Sequence, residues 1–336
     1  MESKIVLFGA TGLVGAYTAI ALKSKHYDVV PVGRRANDNG FFADNDMEYI
    51  SADIKRKDSF LNLPYSDVYA ILHFAGAMPA HMEGYDPYDY LNTNIIGTLN
   101  VLEYARISHT KKIIFCQSVS DVLHLGGTLQ PIRSDSEMRH PMKGDHAVYS
   151  ISKNTAVELI RHYEAAFGIT AYILRLPTIY AYHPNPYYYV NGKKEVLGYR
   201  LLIKKAEKGE PIEIWGNPNN QKEIVYVDDF INLCECCLKD KNDKGGIFNV
   251  GNDFPLSFEE QINLIVEIFA QNGNYSKISY RPDMPSSPQF ILDISNARME
   301  LEYCPEYDCR KAFEAFKKER ELQRFRKLWG KEADYD

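Results

Sequence analysis

Lys4-Ile5-Val6-Leu7-Phe8-Gly9-Ala10-Thr11-Gly12-Leu13-Val14-Gly15 decides the fold. The apolar run from Ile5 to Phe8 reads as a buried strand, and Leu13 to Leu22 continues with apolar residues at helical spacing. Between them, Gly9, Gly12 and Gly15 stand three apart. Glycines so placed permit a tight turn, close approach of the backbone to a pyrophosphate, and close packing of helix on strand. The helix N-terminus, with its unpaired N–H groups, then faces the phosphates. Thr11, Leu13 and Val14 belong to the same expected contact surface.

Outward from this βα unit, further strands are expected at 28–32, 47–51, 69–74 and 112–117, with helices at 57–63 and 88–106 between them. Such alternation predicts an α/β fold, a Rossmann-like doubly wound parallel sheet. A strand at 170–176 closes the first region, and a stretch rich in Pro, Tyr and Gly follows at 177–198, expected to be irregular. Signals resume at 199–208 (helix), 212–215 (strand), 224–227 (strand), 228–238 (helix), 247–250 (strand) and 258–269 (helix). The expected division is a dinucleotide-binding domain of 1–176 plus 224–252 and a smaller, interleaved C-terminal substrate domain of 177–223 plus 253–330. The charged stretch 310–327 reads as an amphipathic surface helix with no role beyond packing.

Tyr149 and Lys153 are four residues apart in Tyr149-Ser150-Ile151-Ser152-Lys153, which puts them on one helix face. A neighbouring ammonium stabilises phenolate and is expected to bring a phenol of ordinary pKa about 10 towards working pH. Tyr149 is therefore the expected acid/base, and with the glycine loop upstream the pair indicates hydride chemistry. Where the second strand ends, a cofactor with a free ribose 2′-hydroxyl calls for an acidic residue, but Gly33 is followed by Arg34 and Arg35. Two guanidiniums suit a 2′-phosphate, so NADP is favoured over NAD, the alternative being a solvated basic turn that tolerates either. Asp53 is expected to accept from the adenine amino group or else to cap the helix after it.

The bulk numbers exclude several classes. The 336 residues, 45% hydrophobic and 25% charged, suit a globular chain with a sizeable core. A net charge of −6 gives no electrostatic reason to bind nucleic acid or an anionic membrane. No apolar run is long enough to span a bilayer. With the first strand starting at Lys4, the cytoplasm is the expected compartment. The six cysteines lack paired CxxC spacing and read as reduced core residues, and the nine histidines form no HxxxH or HExxH array, so no metal is expected.

Taken in order, the glycine loop, Asp53-Ile54, His73-Phe74-Ala75-Gly76, Asn94 to Asn100, Ser118 and Tyr149/Lys153 resemble the extended short-chain dehydrogenase/reductase family. The branch most similar is the NAD-dependent epimerase/dehydratase family acting on nucleotide sugars. The likeness continues through Arg175 to Tyr180, Gly209 to Gly216, Val225 to Asp229 and Phe248 to Gly251. It implies that Ser118 hydrogen-bonds the substrate oxygen, with Ser120 as its rival, that Tyr149 moves the proton, and that Lys153 holds the nicotinamide ribose. It also implies cofactor contacts from Ile54, Phe74, Ala75, Gly76, Asn94 and Pro177, and substrate contacts from Thr178, Lys222 and Arg281. Val119 and Ser120 replace the carboxylates that dehydratases carry after this serine, and Cys116 and His183 do not fall where a 3,5-epimerising reductase needs them.

The expected reaction is therefore 4-epimerisation of a nucleotide sugar through a transient keto intermediate. A reductase of a keto sugar or other carbonyl using NADPH is the alternative, and a non-catalytic NADP(H)-binding protein the third reading. Tyr180, Tyr182, Tyr187, Tyr188 and Tyr189 either stack on a base or sugar or serve as packing. A small-molecule substrate is the expected partner, with a homodimer as the assembly to test.

Overall fold

A computed structural model describes residues 3–144 and 146–335. The opening run folds as expected: β1 is Lys4–Phe8, and α1 is Leu13–Ser24. β2 (Asp28–Gly33), β3 (Ile50–Ser51), β4 (Val68–His73), β5 (Lys112–Ser118) and β6 (Thr170–Leu176) join β1 in one sheet, with the strand Gly246–Asn249 beside β6. Its order is Gly246–Asn249, β6, β5, β4, β1, β2, β3, and all neighbours are parallel.

The chain steps outward from β1 to β3 and then returns to β4 on the other side of β1. The connections that leave β1 and β4 therefore run in opposite directions along the sheet, leaving at their carboxyl ends the crevice in which doubly wound sheets bind ligands. Alternate side chains supply two cores. Ile5, Leu7, Leu72, Ile114 and Leu174 pack with α1 and the C-terminal half, whereas Val6, Phe8, Ile71, Ile113, Phe115 and Ile173 pack on the opposite face.

Several elements depart from expectation. The helix expected at 88–106 is interrupted: α2 (Pro87–Tyr90) and α3 (Thr98–Ile107) are joined by a π-type turn, Leu91–Gly97. The helix expected at 57–63 is 3₁₀, and the third strand keeps only Ile50–Ser51. Strand Val225–Tyr226 lies outside the main sheet, paired with Ile179–Tyr180.

Within 177–198 the chain forms a hairpin, Tyr187–Val190 against Lys193–Val196. Its turn is Asn191-Gly192, with φ of +50° and +74°, the conformation that two-residue hairpin loops require. The C-terminal helix runs Cys309–Leu322 and stops at Gln323, whose φ is +51°. A short helix, Arg326–Trp329, follows it.

All six cysteines are free. Cys234, Cys237 and Cys309 are buried, Cys116 and Cys236 half-buried, and Cys304 is exposed, so the core reading fails for Cys304. No helix among the described residues is long and apolar enough to cross a membrane.

Candidate functional site

The glycine triad divides its labour by space. Gly9 has φ +89°, and a methyl there would lie 2.7 Å from Ala75 N. At Gly15 it would lie 2.1 Å from Gly9 O. At Gly12 the nearest atom would be 3.4 Å away, so this position alone of the three opens onto free space. Gly12 is also the N-cap of α1 and offers no side-chain cap, which leaves the N–H groups of the first turn without a side-chain acceptor. That opening at a helix N-terminus fits a pyrophosphate.

α4, His146–Phe167, presents Tyr149 and Lys153 from one side, and the end of β5 presents Ser118. The Ser118 hydroxyl neighbours the Tyr149 phenol and accepts from Ser120 N at 3.2 Å. Ser120 is itself buried, so of the two serines Ser118 meets the phenol. Lys153 Nζ lies 4.0 Å from the Phe115 ring centroid and has no hydrogen-bond partner among the described residues. A methyl on Gly76 would stand 4.0 Å from the same Nζ. An ammonium left without acceptors in a largely buried position fits a ligand with hydroxyls, such as a ribose.

The electrostatics correct one expectation. Burial pushes the Tyr149 phenol above its ordinary value, and the neighbouring Ser118 hydroxyl opposes this. Burial also brings Lys153 down to about 8, with Cys116 opposing. His73, whose Nε2 lies 2.9 Å from Thr98 Oγ1, is pushed by burial and then by Lys153 down to about 3, so it is neutral. Its Nδ1 has no hydrogen-bond partner among the described residues.

Asn94 is consumed internally. Its Oδ1 accepts from Ala77 N at 2.8 Å, and its Nδ2 donates to Ala77 O at 3.0 Å and to Ser152 Oγ at 2.9 Å. The π-type turn thus clamps the loop after β4 onto α4, and Phe74, Ala75 and Gly76 border the crevice through that clamp. Ile54 is buried under the same turn, where a methyl on Gly97 would meet its Cδ1 at 2.7 Å. Asp53 accepts from Lys55 N at 3.0 Å, a local turn rather than a helix cap.

Beyond β2, the two arginines part company. Arg34 is exposed and makes no hydrogen bond or ion pair among the described residues. Arg35 donates through Nη1 to Leu328 O at 2.9 Å.

On the expected substrate side, Pro177 is half-buried and Thr178 exposed just past β6. Lys222 donates to Ser287 Oγ at 2.5 Å, and burial lowers its pKa. Arg281 is held by Asp283 at 2.9 Å and by Glu213 at 3.7 Å. Lys222 meets the 281–290 segment at Ser287 and Arg281 begins it, so each cation already has a partner. Of the tyrosines, Tyr182 is core and Tyr180 packs at 4.6 Å on Tyr199, whereas Tyr187, Tyr188 and Tyr189 are half-buried on the hairpin.

One buried group escaped the sequence reading. Arg175 is fully buried and grips Asp121 through Nε at 3.1 Å and Nη2 at 3.0 Å, while Nη1 donates to Ser134 O and Asn249 Oδ1. This ties the turn after Ser118 to β6. The signal was an Arg inside an apolar strand run, which demands a carboxylate somewhere in the fold.

Among the described residues no group of three or more His, Cys, Asp or Glu is placed to hold a metal.

A model of the NAD dependent epimerase/dehydratase family matches residues 5–251. A putative UDP-glucose 4-epimerase of Methanocaldococcus jannaschii is 26% identical over 308 residues, covering 91% of this chain and 94% of that protein. UDP-glucuronate 4-epimerase 1 of Arabidopsis thaliana is 23% identical, covering 93% of this chain and 75% of that protein. Among solved structures, UDP-glucuronic acid 4-epimerase from Bacillus cereus, in complex with UDP-glucuronic acid and NAD, superposes with a TM-score of 0.70 at 23% identity, covering 93% and 97% of the two chains. UDP-glucose 4-epimerase from Thermotoga maritima, with UDP-glucose, gives 0.73 at 20% identity, covering 94% and 99%.

Proposed function

Because this chain belongs to the NAD-dependent epimerase/dehydratase family, we propose that it inverts the C4 hydroxyl of a nucleotide sugar through a transient keto intermediate. The observation that carries the reading is the grouping of Ser118 at the end of β5 with Tyr149 and an unpartnered Lys153 on one face of α4. The relatives named as UDP-sugar 4-epimerases support the substrate class.

When bound, the oxidised nicotinamide dinucleotide supplies a hydride acceptor and a positive charge that favours an ionised phenol. Tyr149 Oη takes the proton of the sugar hydroxyl and later returns it. Ser118 Oγ donates to the substrate oxygen as it becomes a carbonyl. Lys153 Nζ holds ribose hydroxyls, and the uncapped first turn of α1 receives the pyrophosphate across Gly9, Thr11, Gly12, Leu13, Val14 and Gly15. Phe74, Ala75, Gly76 and Pro177 line the remaining crevice, with Asp53 and Ile54 near its adenine end and Asn94 positioning the loop. Residues 177–223 and 253–330 supply the sugar-nucleotide side, where Thr178, Lys222 and Arg281 are the candidate contacts.

For the cofactor, the relatives' named ligand is NAD. In this chain no carboxylate follows Gly33, and Arg34 keeps a guanidinium open to a 2′-phosphate; with Arg35 tied to Leu328, the two-armed grip that favours NADP is reduced to one arm. The same turn supports the second reading, a net carbonyl reductase whose NADPH leaves after each cycle. A cytoplasmic homodimer completes the proposal.

The test is incubation with UDP-glucose and with UDP-glucuronic acid, resolving 4-epimers by chromatography while following absorbance at the nicotinamide band. Epimer formation with no net absorbance change is the expected result. Tyr149→Phe should lose on the order of a thousandfold in rate while still binding the dinucleotide. Stoichiometric consumption of NADPH on an added 4-keto UDP-sugar, with no epimer formed from either alcohol substrate, would establish the reductase instead.

A further inference from the structure

The segment past Gln323 touches the dinucleotide loop at two points. Trp329, buried on the short helix Arg326–Trp329, donates from Nε1 to Thr11 O at 2.9 Å. One residue earlier, Leu328 O accepts from Arg35 at 2.9 Å, and Arg35 O in turn accepts from Tyr49. Three rings pack on the indole, Phe325 stacked at 4.6 Å, His183 at 4.4 Å and Tyr17 of α1 at 6.1 Å, while the backbone carbonyl of Trp329 accepts from Tyr335 Oη at 2.6 Å.

Thr11 sits between Gly9 and Gly12, whose backbones are the softest in the loop. A loop built of glycines must be ordered before its N–H groups converge on a phosphate, and that ordering counts against affinity unless it is made in advance. The Trp329 bond holds the Thr11 carbonyl in this turn from a rigid group outside it.

We propose that Trp329 is a positioning residue for the dinucleotide: acting through Thr11, and with Leu328 holding Arg35, it keeps the glycine loop in its binding shape and slows coenzyme release. The inference rests on the dinucleotide reading of the loop but not on the reaction at C4. It suits a redox-neutral cycle, in which one coenzyme must stay through oxidation and re-reduction.

Release of bound NADH, chased with excess NAD and followed by nicotinamide fluorescence, tests it. Trp329→Phe keeps an aromatic ring but removes the donor, and release should accelerate about five- to tenfold, the usual effect of losing one hydrogen bond. Phe325→Leu loosens the same aromatic stack without touching Thr11; it should lower the Tm and leave release unchanged. Equal release from wild type and Trp329→Phe overturns the proposal, and so does equal acceleration by both variants, which would reduce the contact to packing. A wild-type chain that binds no dinucleotide overturns the cofactor reading along with it, whereas normal binding without epimer formation removes only the proposed reaction.

Discussion

The Lys153 ammonium rests 4.0 Å from the centroid of the Phe115 ring, one turn along α4 from Tyr149, and no described residue accepts its protons. The ring face attracts the cation but satisfies none of its three donors. An ammonium drawn out of bulk water with no carboxylate beside it destabilises the fold, and a ligand that accepts its hydrogen bonds offsets part of that cost.

That cost has a pH signature. Lys153 titrates near about 8 in the folded chain against 10.5 ordinarily, so between these values the unfolded chain holds a proton that the folded chain lacks. Stability from this group therefore rises with pH across that window and is lowest below it. Lys153→Met should be more stable than wild type at pH 7 by on the order of 1–3 kcal/mol, with the gap narrowing towards pH 10, as read by urea unfolding at each pH. Dinucleotide affinity should fall in the same variant.

The spacing around the glycines predicts opposite phenotypes. Gly15→Ala forces a methyl to 2.1 Å from Gly9 O and should destabilise the chain by several kcal/mol or prevent folding. Gly12→Ala meets nothing closer than 3.4 Å at an ordinary φ of −82°, so the Tm should move by only a few degrees. Its methyl would enter the proposed pyrophosphate space, and coenzyme titration should show the loss.

Arg175 and Asp121 form a pair whose side chains are 0% and 1% exposed. Arg175→Met leaves a carboxylate without its cation, and a loss of about 3–5 kcal/mol is expected in chemical denaturation. Arg175→Met combined with Asp121→Leu should recover much of that loss. Recovery of stability without recovery of turnover would mark the pair as the anchor of Ser118.

Arg34 decides the cofactor if either arginine does. Arg34→Ala should weaken NADP binding by about tenfold and leave NAD within twofold, since one charge-assisted contact to a 2′-phosphate is worth about 1.5 kcal/mol. Equal losses for the two dinucleotides in isothermal titration would remove Arg34 from the ribose end.

What the sequence made legible was local. The βα unit, the glycine triad, the Tyr149/Lys153 helix, strand 212–215 and helix 258–269 all carry their signal within a few turns of chain, and each stands where periodicity put it. The Asn191-Gly192 hairpin was equally local but hidden in a stretch dominated by Pro and Tyr. Asn94 was seen as a motif residue; its clamp on Ala77 and Ser152 depends on a π-type turn with no periodic signature. The phenol illustrates a different limit. Spacing put a cation on the same face as Tyr149, but burial, which no spacing reveals, moves the group the other way. The tie on Arg35 was out of reach because the carbonyl that receives it lies almost three hundred residues away.

The parallel sheet takes its last strand, Gly246–Asn249, from a stretch separated from β6 by the hairpin and two further helices. During synthesis β6 therefore emerges with one edge bare, its peptide groups unpaired until that later strand leaves the ribosome. A chain stalled or truncated ahead of residue 246 would carry the complete glycine loop and both Tyr149 and Lys153, yet present an open β edge to its neighbours. For this molecule, the hazard of incomplete translation is aggregation before it is inactivity.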